Sequence, residues 1–577
     1  MEKIRQNAFK IIIVILSLLT IAGIVKALFV SIDVDESYAV AQAYRLVTGD
    51  KIMYDMWEPH QFSAFLPAFF LYPYYLITKG AEGGVIYLRL VGILIHLGFG
   101  ALLYFVSYKD LGKKNALLIL LVHANFLPKW IALPEFELMQ YWSFLVIFLL
   151  FYAAGKNGKA ILYLIAGLFF GMSVLCYPTM ALIFPVLLIA LGVTKKSKGM
   201  LPFTLGTAFI GGVTIAVILI NVPFDELPFF VSYILMDSSH TSVGMAYKMA
   251  VSAEQFGSQL IEILIVTLIC AVLGVAGLIV LKTVKKKAFK AIDFVTYTLS
   301  ATVIVLFVKT FIGYFALNQN QFYFQIRYVV LVLLFTILAL KDYKKYAVEF
   351  WYGLLPGILT IPAVFLITNM DINSVYTKLF SAVIAGLFVI AKKMSDNDED
   401  SKDKVINNIL SYGIVVSILL CIFACRILLL RVNGCMPVTI KAKTARVEHG
   451  AAAGIFVLKD QADAWNLSYE QTKAAVDSGK NVLYIGQEQL FYVTFCDRVT
   501  VPSVQGTTVF NEMYERYYEV FPDKYPEIIV KDASFDVNPA YYYSEENEYI
   551  FRWINDNFET KTLANTKYYE VISAEKK

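Results

Sequence analysis

A polytopic α-helical membrane protein, with about thirteen transmembrane helices and a C-terminal extracytoplasmic α/β domain, is the fold class this sequence predicts. Three observations lead there. Hydrophobic residues make up 58% of the 577 and charged residues only 17%, against roughly a quarter charged in ordinary soluble chains. Apolar runs of about 20 residues, the length needed to cross a bilayer, recur up to residue 430. Near Asn433 they stop, and polar, turn-forming residues replace them.

Taken in order, the apolar runs place crossings at 9–30, 85–108, 116–130, 138–154, 160–176, 180–193, 203–221, 259–281, 294–316, 326–340, 347–368, 375–391 and 409–430. The first has a basic start and an apolar stretch too long for a cleaved signal peptide, so it reads as an anchor. The segment 62–77 is apolar as well. Read as a crossing, it would move the cluster Lys109, Lys113 and Lys114 to the other side and invert every later loop. Read as a broken interfacial helix, which Pro67, Pro73 and the aromatic run around them suit, it leaves all lysine clusters on one side. The outer loops before the tail then hold Arg45, Lys51, Lys79, Lys129 and Lys248 and no other Lys or Arg. The positive-inside rule puts the N-terminus in the cytoplasm and the tail outside a cell membrane.

Two domains follow. Residues 1–432 form the membrane part, with an outer loop at 31–84 carrying amphipathic interfacial helices, and 433–577 form a soluble extracytoplasmic domain. The net charge of +4 divides into about +10 for the membrane part and −6 for the tail. That split suits a basic cytoplasmic rim and a solvated domain, and argues for no nucleic-acid partner. Within the tail, helical stretches at 461–478, 511–520 and 546–557 alternate with β runs at 481–485, 498–502 and 527–531 and a final strand. The alternation predicts a small parallel or mixed sheet covered by helices. Cys435 and Cys496 lie in this domain, and their pairing stays open.

Chemistry concentrates in the first outer loop. Asp33, Asp35 and Glu36 stand at the end of the first crossing, and Asp35 and Glu36 open a helix in which Tyr38, Ala41 and Arg45 recur at helical spacing. Acidic residues in a first helical turn are stabilised by the helix dipole, so a simple cap at the lipid surface accounts for them. Other residues call for more. Arg89 lies a few residues into the second crossing, where a charge is costly and pairs, snorkels or binds an anion. Arg327 opens the tenth crossing, and Glu135 and Glu137 follow Lys129 and Trp130 in a second acidic outer loop. Carboxylates and arginines from distant loops thus gather at one depth.

At these residues the chain resembles the GT-C membrane glycosyltransferases, in particular the branch (glycosyltransferase family 39-like) that includes protein O-mannosyltransferases and the bacterial aminoarabinose transferase of lipid A. That pattern reads Asp-Glu-x-x-Tyr, then His-Pro-Pro-Leu, then Arg-Leu opening the second crossing. Here Asp35-Glu36-Ser37-Tyr38 is one residue shorter, Glu58-Pro59-His60-Gln61 replaces His-Pro-Pro in part, and Arg89-Leu90 fits. The likeness covers the first 190 residues; beyond them it is one of topology.

The resemblance implies an inverting enzyme that moves a hexose or pentose from a polyprenyl-phosphate donor to a lipid, polysaccharide or protein acceptor of the cell envelope. Asp35 then takes the base position with Glu36 as its partner, Arg89 and Arg327 are the donor-phosphate candidates, and Glu135 or Glu137 forms a second acidic site. No cofactor is required by the sequence. A divalent metal is compatible with it, with His60, Glu82 and His240 as ligand candidates. Competing readings are a transporter or flippase of lipid-linked glycans, which calls for charges near the bilayer midplane, an inactive relative whose outer domain binds an envelope partner, and an oligosaccharyl transferase.

Overall fold

The computed structural model of the chain describes residues 2–577 apart from 235–243, 286–290, 316–324, 366–376, 396–400, 432–436, 440–441, 477–478, 487, 505–511, 533–544 and 567–568. The helices in chain order are α1 (Glu2–Phe29), α2 (Val34–Val47), α3 (Phe65–Thr78), α4 (Gly84–Leu111), α5 (Lys113–Asn125), α6 (Phe136–Asn157), α7 (Ala160–Cys176), α8 (Phe184–Val193), α9 (Met200–Asn221), α10 (Leu227–Ile234), α11 (Met245–Lys285), α12 (Ala291–Phe315), α13 (Gln325–Lys341), α14 (Tyr343–Glu349), α15 (Leu355–Phe365), α16 (Phe380–Ser395) and α17 (Ser401–Leu428). Each of the thirteen expected crossings contains a helix. Among the described residues seven helical stretches are long and apolar enough to cross a membrane by length and composition, and three shorter apolar helices accompany them. The chain is a multi-pass membrane protein. α6 is buried along nearly its whole length, whereas α1 and α9 leave large apolar side chains such as Ile11, Leu18, Leu201 and Phe209 exposed. An apolar helix uncovered by protein must be covered by lipid. α3, with Pro73 inside it, is about 21 Å long at 1.5 Å per residue, short of a hydrocarbon core.

The tail adds α18 (Lys459–Ala475), α19 (Leu490–Phe495), α20 (Glu512–Val520) and α21 (Glu545–Asn557). Two small antiparallel hairpins pair β1 (Leu429–Arg431) with β2 (Pro437–Thr439) and β3 (Thr444–Arg446) with β4 (Phe456–Leu458). A four-stranded mixed sheet has the order β5-β6-β8-β7, from β5 (Val482–Ile485), β6 (Ile528–Asp532), β7 (Phe558–Asn565) and β8 (Tyr569–Lys576). β5 and β6 run parallel, while β8 pairs antiparallel with both β6 and β7. β7 was not among the expected strands: its alternation is weak and six of its eight residues are exposed, the pattern of a sheet edge.

The β run expected at 498–502 is absent. Pro502 is the reason, since its carbonyl turns away from any sheet to accept from Trp57 N (2.9 Å) and Arg45 Nη1 (3.0 Å). Those two bonds belong to a broad seam between the 31–84 segment and the tail. Side chains of α2, of 52–57 and of α10 share one apolar core with Tyr484, Phe491, Tyr517 and Phe521. Every residue of α2 from Glu36 to Arg45 is buried, which differs from the expected amphipathic helix on a lipid surface. Ala39, Ala41 and Ala43 let neighbours approach closely, and α19 covers the face that lipid would otherwise meet. Arg45 is the polar anchor of the seam. Its guanidinium reaches Asp50 (2.6 Å), Glu58 (3.1 Å) and the Asp55 carbonyl (2.6 Å), while the other Glu58 oxygen accepts from Val504 N and Ser503 Oγ at 3.2 and 3.3 Å.

Candidate active site

The site begins where α1 stops. Ser31, with φ +68°, turns the chain, and its N–H donates to Phe456 O at 2.7 Å, so strand β4 of the tail fixes the exit. Asp33 then caps α2, accepting from Asp35 N at 3.1 Å, while Glu36 reaches back to Asp33 N. This capping box satisfies donors that an unfinished helix end would leave open. It also sorts the three carboxylates by role. Asp33 faces the helix end. Glu36 turns inward, where Arg89 grips it with a fork, Nε to Oε1 at 2.6 Å and Nη2 to Oε2 at 2.5 Å. Arg89 completes its bonding on the Leu28 and Ser31 carbonyls. Asp35 points the other way and keeps 26% side-chain exposure, against 2% for Glu36.

A second group of charges approaches from the loop between α5 and α6. Gly92 of α4 makes the approach possible: a Cβ there would stand 2.0 Å from Ala132 O. The loop turns at Lys129 and Trp130, both left-handed (φ +49° and +63°) without being glycine, a conformation that costs of order 1–3 kcal/mol per residue and clusters at functional sites. Lys129 bonds to Asp35 and stands 3.2 Å from Glu137 Oε1. Burial alone would lower the lysine's pKa, but Asp35 and Glu137, with Asp33 and Glu135 beyond, outweigh it and raise it well above the ordinary value.

Glu135 and Glu137 have different partners. Glu135 is the N-cap of α6 and gives both oxygens to backbone, accepting from Glu137 N at 2.7 Å and Leu138 N at 2.6 Å. Burial first, then the neighbouring Glu137, push its carboxyl above the usual carboxylate range. Glu137 instead faces Lys129, Lys378 (3.4 Å), Thr377 Oγ1 (3.0 Å) and Tyr177 Oη (3.4 Å). Lys378, just before α16, is buried over the Tyr177 ring at 4.0 Å from its centroid.

Between these groups lies an open pocket lined by Lys26, Ser31, Asp33, Glu36, Arg89, Lys129, Trp130 and Arg426, with an inner volume of ≈ 40 Å³. Arg426, in the last turn of α17, donates to Gly23 O (3.1 Å), and Lys26 donates to Arg426 O (2.6 Å). Four cations and two carboxylates therefore meet at one end of the bundle, against the tail. The sequence reading had singled out Arg89 among them and passed over Lys26, Arg426, Lys378 and the role of Lys129. The signal for Lys129 was its isolation in loops nearly devoid of lysine. Lys26 and Arg426 sit at the ends of apolar runs, where snorkelling is the ordinary explanation.

Arg327 is not brought to this pocket: it is buried at the start of α13, 3.4 Å from Glu262 Oε1, which Lys309 also engages at 2.9 Å. The proposed metal ligands are not assembled either. His60 stacks flat on Phe136 (4.2 Å between ring centroids) with Nδ1 3.2 Å from Cys176 O, and Glu82 is exposed with its backbone carbonyl bound by Tyr74. His240 and Cys435 lie outside the described residues. Among the described residues no group of three or more His, Cys, Asp or Glu is placed to hold a metal ion.

No family model and no curated protein matches the chain. Among solved structures, an Archaeoglobus fulgidus oligosaccharyltransferase, crystallised with zinc and sulfate, aligns with TM-score 0.46 and 12% identity, over 96% of this chain and 72% of that one. ArnT from Cupriavidus metallidurans, in its apo state, aligns with TM-score 0.43 and 11% identity, over 99% of this chain and 98% of that one.

Proposed function

We propose that the chain is an inverting membrane glycosyltransferase of the GT-C type, moving a sugar from a polyprenyl-phosphate donor to an envelope acceptor outside the cell membrane. The observation that carries this reading is the partly exposed carboxylate of Asp35 beside a pocket rich in cations at the end of the bundle. A donor with a lipid tail and a phosphate head enters from the bilayer, and its phosphate needs positive charge within reach. Lys26, Arg89, Lys129 and Arg426 supply it; Arg327, paired with Glu262, is left out of the phosphate site.

In the reaction the acceptor hydroxyl gives its proton to the Asp35 carboxylate as its oxygen bonds to the anomeric carbon. The bond between that carbon and the phosphate oxygen breaks, and polyprenyl phosphate leaves with the electron pair, its charge held by the pocket cations. Asp35 suits the base role because it alone of the five clustered acids is open to an acceptor, the other four being at most 3% exposed. Glu36, locked on Arg89, is a positioning residue, and of the second acidic pair Glu137 faces the charge network. The tail, sealed onto α2, contributes to acceptor recognition.

The test uses membranes from cells producing the protein, supplied with a panel of radiolabelled polyprenyl-phosphate sugars. Label transferred by the wild type and lost with Asp35→Asn at equal protein level supports the reading and identifies the sugar. Transfer that survives Asp35→Asn removes Asp35 as the base.

A further inference from the structure

The base of the proposed reaction is paired with a cation. Lys129 bonds directly to Asp35, so that the carboxylate due to accept a proton is already neutralised by a cation. The same ammonium is shared with Glu137 at 3.2 Å, and it lines the pocket in which Arg89 and Arg426 stand. The groups facing it are Asp33, Asp35, Glu135 and Glu137, with Lys378 on the far side of Glu137. Its backbone and that of Trp130 are held left-handed in a turn bounded by Pro128. A lysine is a compact charge on a flexible stem, able to exchange one anionic partner for another by rotating its side chain.

We propose that Lys129 is a donor-sensing gate: it leaves Asp35 for the donor phosphate, so that the base is released only when a donor is in place. This rests on the glycosyl-transfer reading and adds to it a safeguard. With the pocket empty, Asp35 is tied to a cation and is a weak acceptor of protons. When a phosphate enters between Lys129, Arg89 and Arg426, it competes for the ammonium, and Glu137 keeps the lysine anchored as it turns. Arg89 cannot play this part, because Glu36 and two backbone carbonyls hold its guanidinium from three directions.

The experiment is a cryo-electron-microscopy structure of the full chain in nanodiscs with a long-chain polyprenyl monophosphate, paired with titrations of that lipid monitored by fluorescence. Trp130 in the pocket wall is a native reporter. The expected structure has Lys129 Nζ on a phosphate oxygen and the Asp35 carboxylate open. Lys129→Gln is expected to bind the lipid about tenfold more weakly, the loss of one charge-assisted hydrogen bond, and Lys129→Arg to recover most of that loss. Phosphate bound beside Arg89 and Arg426 with Lys129 still on Asp35, or equal binding by all three proteins, overturns the gate and leaves the glycosyl-transfer reading standing. Folded wild-type protein that does not bind the lipid in this pocket overturns the reading itself.

Discussion

Glu36 and Asp35 are neighbours in sequence, and the structure gives them opposite duties that mutation can separate. Glu36→Gln removes the charge from a buried, two-pronged ion pair and leaves the Arg89 guanidinium with neutral acceptors alone, one amide oxygen and the backbone carbonyls. Breaking one side of a buried pair costs about 3–5 kcal/mol, because the remaining charge stays desolvated. Asp35→Asn alters a quarter-exposed group and is expected to cost about 1 kcal/mol or less. Thermal unfolding of the purified protein, followed by loss of monodispersity on heating, should therefore fall sharply for Glu36→Gln and little for Asp35→Asn. Sugar transfer should fail in both. The double variant Glu36→Gln/Arg89→Met supplies the check, since removing both charges is far less costly than removing one. It should regain much of the lost stability without regaining transfer. If Glu36→Gln melts like the wild type, or if the double variant is as unstable as the sum of its parts, the assignment of Glu36 as a structural partner of Arg89 is wrong.

Three further outcomes follow from particular contacts. Gly92→Ala drives a methyl group into Ala132 O and should displace the loop carrying Lys129, reducing donor binding at least about tenfold while far-UV circular dichroism stays unchanged. Arg327→Gln removes a residue engaged with Glu262 away from the pocket, so polyprenyl phosphate should bind within about twofold of the wild type. Glu488 of the tail is raised to about 7, by burial first and the nearby Asp532 next. A carboxyl whose folded pKa lies above its unfolded value takes up a proton on folding, so its contribution to stability is present below about pH 4.3 and is lost as pH rises toward 7. Melting temperatures measured across that window should decline for the wild type and decline less for Glu488→Gln.

Much of this architecture was legible in the sequence, for a physical reason. A bilayer accepts only long apolar helices, so apolar length marked where the membrane helices lie, seven of them long enough to cross among the described residues, and β5, β6 and α18 were marked by period and punctuation. What the sequence hid were features whose cause lies in a distant segment. Val499, Thr500 and Val501 have the β propensity of a strand, yet Trp57 and Arg45 claim the Pro502 carbonyl and no sheet forms there. α2 has the face pattern of an interfacial helix, yet α19 covers it.

The site was hidden in the same way. An acidic first turn explains Asp33, Asp35 and Glu36 equally well as caps or as catalytic groups, and the structure sorts the three by their partners. Asp33 is a cap, Glu36 is both a capping-box member and a clamp on Arg89, and Asp35 is the one carboxylate without a helix-end duty of its own. What distinguishes it is contact with Lys129, a residue 94 positions away, and no local pattern encodes such a contact. The capping box thereby has a second consequence. By fixing Asp33 and Glu36 on the helix end, it forces the intervening Asp35 outward on the first turn, toward the loop of Lys129 and away from Arg89. A stronger cap at position 33 would leave that geometry intact, whereas Asp33→Ala would loosen the turn and blur the division between the carboxylate on Arg89 and the one on Lys129. Helix capping, elsewhere worth about 1 kcal/mol of stability, here also decides which acid faces Lys129.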